Sequence, residues 1–462
     1  MYRMELSPLA VMLLLVSLLP VAHAQAKPKP TVRVNPQSSI YTGDTITLSC
    51  ELQEMTGWGF FYYNQWFQRL NRKPANSFKV TVNNAGETEY RCQARTKNYN
   101  NYYDYYTEYS EPVKITVNER PHPVLSVSPQ NWLTEGDSVT LSCEVTDSST
   151  DWTFSWYTAV PYRDGVTATQ NTHGFIMYVE LLSDSSRGSG GSYTLSPSAL
   201  HHTGVYVCRG ERGEPVSHTL YSNPQPLWIS ASESPPVSLI ISPNRTQHFT
   251  RDSLSLSCED QSNSTGWTVR RYTDSEGVLD CSQWGSVTGS TCNISFLSTS
   301  YTGVYWCESE SGENSNPVNI TVHDGDVILE SPVHPVTEGH PLTLHCLYRN
   351  TNPSNLRADF YKDGSVVQNQ TTGEMMIHKV SKSDEGFYHC KHPERGESPR
   401  SWISVRLSGP SHLEAPFSVL MLISSVVTAS PYLLITIILL VKCYRARAHT
   451  DEDRIENAVM EE

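Results

Sequence analysis

The chain has 462 residues, a formal net charge of −14 at pH 7 and 11 cysteines. That length is too great for one hydrophobic core and allows three or four domains at about 100 to 150 residues each. The acidic balance, with no Lys/Arg stripe, argues against nucleic acid as a partner, because phosphate neutralisation needs a basic face. Ten of the cysteines precede residue 391 and fall in pairs, leaving Cys443 over, which fits an oxidising compartment with one thiol outside it.

Residues 1–24 open with Arg3, run through an apolar stretch from Leu9 to Val21 and end Ala22-His23-Ala24. That order of charge, apolar core and small residues predicts a signal peptide, with the mature chain beginning at Gln25. Two phrases then recur four times each. The first is an apolar-in, polar-out strand ending in cysteine: Ile46-x-Leu48-x-Cys50, Val139-x-Leu141-x-Cys143, Leu254-x-Leu256-x-Cys258 and Leu342-x-Leu344-x-Cys346. The second places a tyrosine two residues before a cysteine, at Tyr90 and Cys92, Tyr206 and Cys208, Tyr305 and Cys307, and Tyr388 and Cys390. Strand period 2 puts ring and sulfur on one face. These are the B and F strands of an immunoglobulin sandwich, stapled through the core by a disulfide, with the tyrosine hydroxyl bonding backbone at a corner. The expected fold is all-β, a tandem array of four immunoglobulin-like β-sandwich domains, plus one transmembrane α-helix.

The first domain, 31–118, pairs Cys50 with Cys92 and has Tyr62 where a core Trp is usual, within Trp58-Gly59-Phe60-Phe61-Tyr62-Tyr63. Six tyrosines follow between Tyr99 and Tyr109, on the expected F–G hairpin. Because C, F and G share a sheet, Trp58, Tyr102, Tyr103, Tyr105 and Tyr106 are candidates for a ligand-binding face built from the two clusters. Cross-strand tyrosine pairing that stabilises the hairpin is the alternative. The second domain, 123–230, pairs Cys143 with Cys208 around Trp156. Its run from Arg187 to Ser192 lacks the Lys-Ser/Thr of a phosphate loop and reads as a strand connection. The third, 236–322, pairs Cys258 with Cys307 and adds a local bridge from Cys281 to Cys292, with Arg271 in the Trp position by register with Trp267. The fourth, 327–407, pairs Cys346 with Cys390 around Phe360, and Asp324-Gly325-Asp326 before it reads as a turn rather than a calcium site, having two carboxylates where calcium wants six or more oxygens.

Glycosylation sequons stand at Asn244, Asn263, Asn293, Asn319 and Asn369, all in the third and fourth domains. This predicts a sugar-shielded proximal half and a bare distal half. Residues 417–441 carry no charge over 25 residues and are followed by Lys442, Arg445 and Arg447. The pattern predicts a membrane span with the amino terminus outside, a single-pass type I protein of the plasma membrane. Cys443 at its inner edge is a candidate for lipidation or a free thiol. The tail, 442–462, has one tyrosine, Tyr444, and fits no phosphotyrosine signalling pattern.

The phrases Gly136-Asp137-Ser138-Val139-Thr140-Leu141-Ser142-Cys143 and Gly204-Val205-Tyr206-Val207-Cys208 resemble the Fc receptor and Fc receptor-like family of leukocyte receptors. So do Tyr109-Ser110-Glu111-Pro112-Val113 and Ser315-Asn316-Pro317-Val318. The resemblance implies an immune cell-surface receptor that binds a protein ligand, with immunoglobulin Fc the family's ligand, and a signalling adaptor or co-receptor as the route to output; it also favours a rival ligand site in the second domain around Trp152. An adhesion or decoy molecule without intrinsic signalling is the alternative. No phosphate loop, zinc-type His pair or free cysteine cluster supports an enzyme, a metal site or a cofactor.

Overall fold

The computed structural model describes residues 27–37, 40–53, 57–97, 104–146, 152–170, 174–183, 188–213, 216–232, 235, 237–260, 266–350, 357–407 and 434–447. The signal sequence, Tyr102, Tyr103, Asn263, Arg187 and the first 17 residues of the expected span, 417–433, lie outside them. The chain divides into two compact units, one ending at Asp324 and the other starting at Gly325.

The first unit holds three antiparallel sandwiches. Their B strands are Thr45–Glu51, Val139–Glu144 and Leu254–Asp260, and their F strands are Gly86–Lys97, Gly204–Arg212 and Gly303–Ser309. Each B strand pairs with an A strand and an E strand in one sheet, and each F strand lies between C and G in the other. Cysteines bond across the two sheets as Cys50 to Cys92, Cys143 to Cys208 and Cys258 to Cys307. Corner bonds close the F strands of the second and third sandwiches: the Tyr206 hydroxyl donates to His202 O at 2.8 Å and that of Tyr305 to Tyr301 O at 2.6 Å. Burial pushes the Tyr305 hydroxyl up to about 12.

Across the sheet, the residue opposite the F-strand cysteine fills the core beside the disulfide. It is Tyr62 in the first sandwich and Trp156 in the second. In the third it is Val269, which corrects the expectation of Arg271: Trp267 faces Ser309 and Arg271 faces Tyr305, two places further along the C strand. Arg271 is nonetheless buried. Its guanidinium pairs with Glu276 and lies 4.9 Å from the Trp284 ring and 4.7 Å from that of Tyr301. Trp284 ends a one-turn helix, Cys281–Trp284, and the Cys281 to Cys292 bond ties that helix to the E strand Thr291–Ile294. The second bridge therefore holds the aromatic lid over a buried charge, whose desolvation would otherwise cost several kcal/mol.

The second and third sandwiches do not stand as separate beads. Between the outward faces of their C–F–G sheets lies a second hydrophobic core: Val205, Val207 and Trp228 on one side, and Tyr272, Val304 and Trp306 on the other. Trp228 is the hub, with ring centroids 5.4 Å from Trp306 and 5.9 Å from Tyr272. At the edge of the contact the Asn314 amide donates to Thr203 O at 3.3 Å, and Ala231 N donates to Asn316 Oδ1 at 2.7 Å.

The first and second sandwiches meet through Arg120. Its Nε donates to Thr42 O at 2.8 Å, and its other nitrogens reach Asp44 and His218 O. Beside it Trp152 packs 6.3 Å from Tyr41, beneath the Arg212 guanidinium at 4.6 Å.

The second unit holds one sandwich, with B strand Leu342–Tyr348, C strand Ala358–Lys362 and F strand Gly386–His392. Cys346 bonds to Cys390, Phe360 sits opposite Cys390, and the Tyr388 hydroxyl donates to Asp384 O at 2.7 Å. Residues 434–447 are helical. Among the described residues no helix is long and apolar enough to cross a membrane.

Candidate functional site

The outward face of the first sandwich's C–F–G sheet differs from those of its two neighbours. Its C strand, Gly59–Asn64, turns Phe60 and Tyr62 into the core and Phe61 and Tyr63 outward. Opposite them the F strand places Gln93 against Phe61 and Arg91 against Tyr63, and its Glu89 and Arg91 stand where the second sandwich has Val205 and Val207 and the third has Val304 and Trp306. No apolar sheet can seal against this surface as those two seal against each other.

After the C strand the chain turns sharply. Asn64 Oδ1 accepts from Trp66 N at 3.1 Å and Gln68 N at 2.9 Å, an Asx-type turn. Phe67 sits at its apex with φ of 59°, a region that aromatic side chains rarely adopt. The turn holds Trp66 and Phe67 out in water, 75% and 53% exposed. Phe67 meets the Tyr109 ring edge-on at 5.3 Å, and Tyr109 meets Tyr63 at 5.1 Å, so the turn is joined to the segment that follows the F–G hairpin. Two guanidiniums cover the remaining rings: Arg91 lies 4.9 Å from Phe67 and Arg69 lies 3.5 Å from Phe61. Burial, with Tyr109 as the next cause, raises the Tyr63 hydroxyl to about 12, so it stays protonated and available to donate to Gln93 at 3.3 Å. What results is an aromatic and arginine surface braced by ring and guanidinium contacts, of the composition that anchors protein interfaces.

The expected site residues distribute unevenly over this surface. Tyr105 is exposed on the hairpin strand Asp104–Tyr106 and meets Trp58 edge-on at 6.0 Å, while Tyr106 is half-buried opposite Arg95. The stretch from Trp58 to Tyr63 is not itself an exposed face, because Phe60, Phe61, Tyr62 and Tyr63 are all buried. Trp152 is buried in the joint between the first two sandwiches, which removes it as an open ligand contact. Sequence reading missed Trp66 and Phe67, and included Tyr109 in the tyrosine cluster without singling it out. The available signal was two aromatic residues directly after Asn64-Gln65, in a turn where Gly, Pro or Asp is usual. Of the sequons, Asn244, Asn319 and Asn369 are exposed and Asn293 is half-buried. Cys443 is a free, exposed cysteine. Among the described residues no cluster of His, Cys, Asp and Glu could hold a metal ion.

Two family models, each described as an immunoglobulin domain, match residues 122–211 and 326–401. Human Fc receptor-like protein 5 is 24% identical over 387 residues, covering 78% of this chain and 36% of its own length. This chain is related to the Fc receptor-like proteins. Other Fc receptor-like relatives share that likeness with receptors for immunoglobulin. The mouse low affinity immunoglobulin gamma Fc region receptor II is 24% identical over 151 residues, 33% of this chain and 44% of the relative. The low affinity immunoglobulin gamma Fc region receptor III-A of Mustela putorius furo is 25% identical over 183 residues, 39% of this chain and 70% of the relative. The chain thus spans about a third of the length of human Fc receptor-like protein 5.

Proposed function

We propose that this Fc receptor-like chain is a single-pass cell-surface receptor that takes a protein ligand on the C–F–G face of its first domain. The domains run over 31–118, 123–230, 236–322 and 327–407, with residues 1–24 removed, 417–441 in the membrane and 442–462 inside. One observation carries the ligand site: the second and third domains spend their C–F–G faces on each other, whereas the first holds Trp66 and Phe67 exposed on a braced turn. Each ring exposes roughly 100 to 150 Å², so burying both supplies on the order of 5 kcal/mol of gross drive at ~25 cal/mol per Å² before ordering costs. Supporting the receptor reading are the relatives and the sequons, none of which precedes Asn244. Immunoglobulin is the first ligand to test, since two of the relatives are named as immunoglobulin gamma Fc region receptors.

Cells displaying the full chain are incubated with purified immunoglobulins, and the paired change Trp66→Ser, Phe67→Ser is compared with wild type at matched surface level. A loss of binding of about tenfold or more, ~1.4 kcal/mol or greater, is expected. Binding within about threefold of wild type would refute the face as the site.

A further inference from the structure

We infer that the fourth domain is a self-association module, pairing with the fourth domain of a second copy of this chain through its own C–F–G face. The face carries Phe387 on the F strand and Trp402 directly across the ladder on the G strand, with ring centroids 4.9 Å apart in an edge-on pair. Both are open to water, 46% and 52% exposed.

The occupant follows from how this chain treats the same ladder positions elsewhere. Phe387 and His389 flank the F-strand Tyr388, as Val205 and Val207 flank Tyr206 and as Val304 and Trp306 flank Tyr305. In the second and third domains those flanking positions are sealed, each set against the other. A C–F–G sheet with apolar flanks is, in this molecule, a surface that closes on another sheet of its kind. In the fourth domain one flank, Phe387, lies open with Trp402 beside it, while the other is the buried His389.

The face is also built to match itself. Next along the ladder His389 is buried and stacked flat on Tyr361, 4.7 Å between centroids at 10°, giving a firm polar platform beside the aromatic pair. Beyond it Lys391 stands opposite both Asp359 and Glu397, so the far end carries both signs of charge. A two-fold axis through Phe387 and Trp402 sets aromatic on aromatic at the centre and leaves the mixed charges at the rim, the arrangement an isologous interface requires. Asn369 stands on the edge strand Ser365–Thr371, separated from the F strand by the C strand. A glycan there blocks strand addition at that edge and steers association to the face.

The test uses the full chain in cells, with Cys443→Ser removing the one free cysteine. Phe387→Cys lies on the proposed axis, and Met376→Cys, on the exposed side of the opposite sheet, is the control. After mild oxidation with copper phenanthroline, non-reducing gels are expected to show Phe387→Cys mainly as covalent dimer and Met376→Cys as monomer. Energy transfer between copies tagged at the carboxyl terminus is expected to fall to background in the pair Phe387→Asp, Trp402→Asp. Both side chains lie outside the core, so the variant keeps its Cys346 to Cys390 bond, which peptide mapping checks. Equal cross-linking at both positions, or energy transfer that survives the paired aspartates, overturns the inference and puts any association elsewhere in the chain.

Discussion

Replacing Trp306 with Ser separates the second and third domains without emptying a sandwich core, because its ring lies wholly in the contact between them. Trp306 and its partner Trp228 are 2% and 3% exposed. Removing a buried tryptophan costs about 3 to 5 kcal/mol in a well-packed core, and the transfer of about 200 Å² at ~25 cal/mol per Å² gives a similar figure. A contact between two domains of one chain starts with no loss of translational freedom, and a change of this size is enough to open it. Met177 reports the opening. It is 5% exposed and lies against Gly277, where an added Cβ would come 3.6 Å from its Cγ. Met376, 48% exposed in the fourth domain, is the internal standard. With dilute peroxide and peptide mass spectrometry, wild type is expected to oxidise Met376 far ahead of Met177, and Trp306→Ser to bring the two rates together. Continued protection of Met177 would refute the contact. Loss of the Cys258 to Cys307 bond in the variant would show instead that Trp306 supports its own sandwich.

Two further outcomes follow from buried polar groups. His248, fully buried in the third sandwich, is held neutral by desolvation, with Arg245 as the next cause, and its pKa is lowered from the usual 6.5 to about 4. The unfolded chain binds this proton first, so the contribution is intact above about pH 6.5 and is lost as pH falls towards 4, on the order of 3 kcal/mol in all. Thermal melts at pH 7 and 4.5 are expected to differ less for His248→Gln than for wild type. Arg120→Ala removes the cation beside Asp44 at the joint of the first two sandwiches and leaves it only Tyr41 N and Ser217 Oγ, at a cost of about 1 to 3 kcal/mol. Limited proteolysis near residue 120 is expected to quicken while the Cys50 to Cys92 bond persists.

The four sandwiches are legible in the sequence because their marks are local: alternation over five residues defines a B strand, and Tyr-x-Cys defines an F strand. The C-strand register of the third is not, because counting from the first cysteine favours a landmark aromatic, and Arg271 is made tolerable by Glu276, Trp284 and Tyr301, none of which that count includes. The contact between the second and third domains did leave a mark. Gly204-Val205-Tyr206-Val207-Cys208 and Gly303-Val304-Tyr305-Trp306-Cys307 are apolar at every position after glycine, and a strand apolar on both faces is covered on both. The matching stretch before Cys92 reads Thr88-Glu89-Tyr90-Arg91-Cys92, apolar on one side only. Tyr-rich composition drew attention to the first domain, but turn chemistry at Asn64 decides which rings face water.

The paired faces of the second and third domains also impose an order on biosynthesis. Trp228 leaves the ribosome about 80 residues before Trp306, an interval of roughly 4 to 16 s at ~5 to 20 residues per second. Throughout it the second domain has its own disulfide partners in hand yet carries Val205, Val207 and Trp228 uncovered. Until the third domain closes on it, that uncovered surface is open to chaperones and to aggregation. A transcript that skips the third domain would make that exposure permanent, turning a short-lived assembly step into a retention signal.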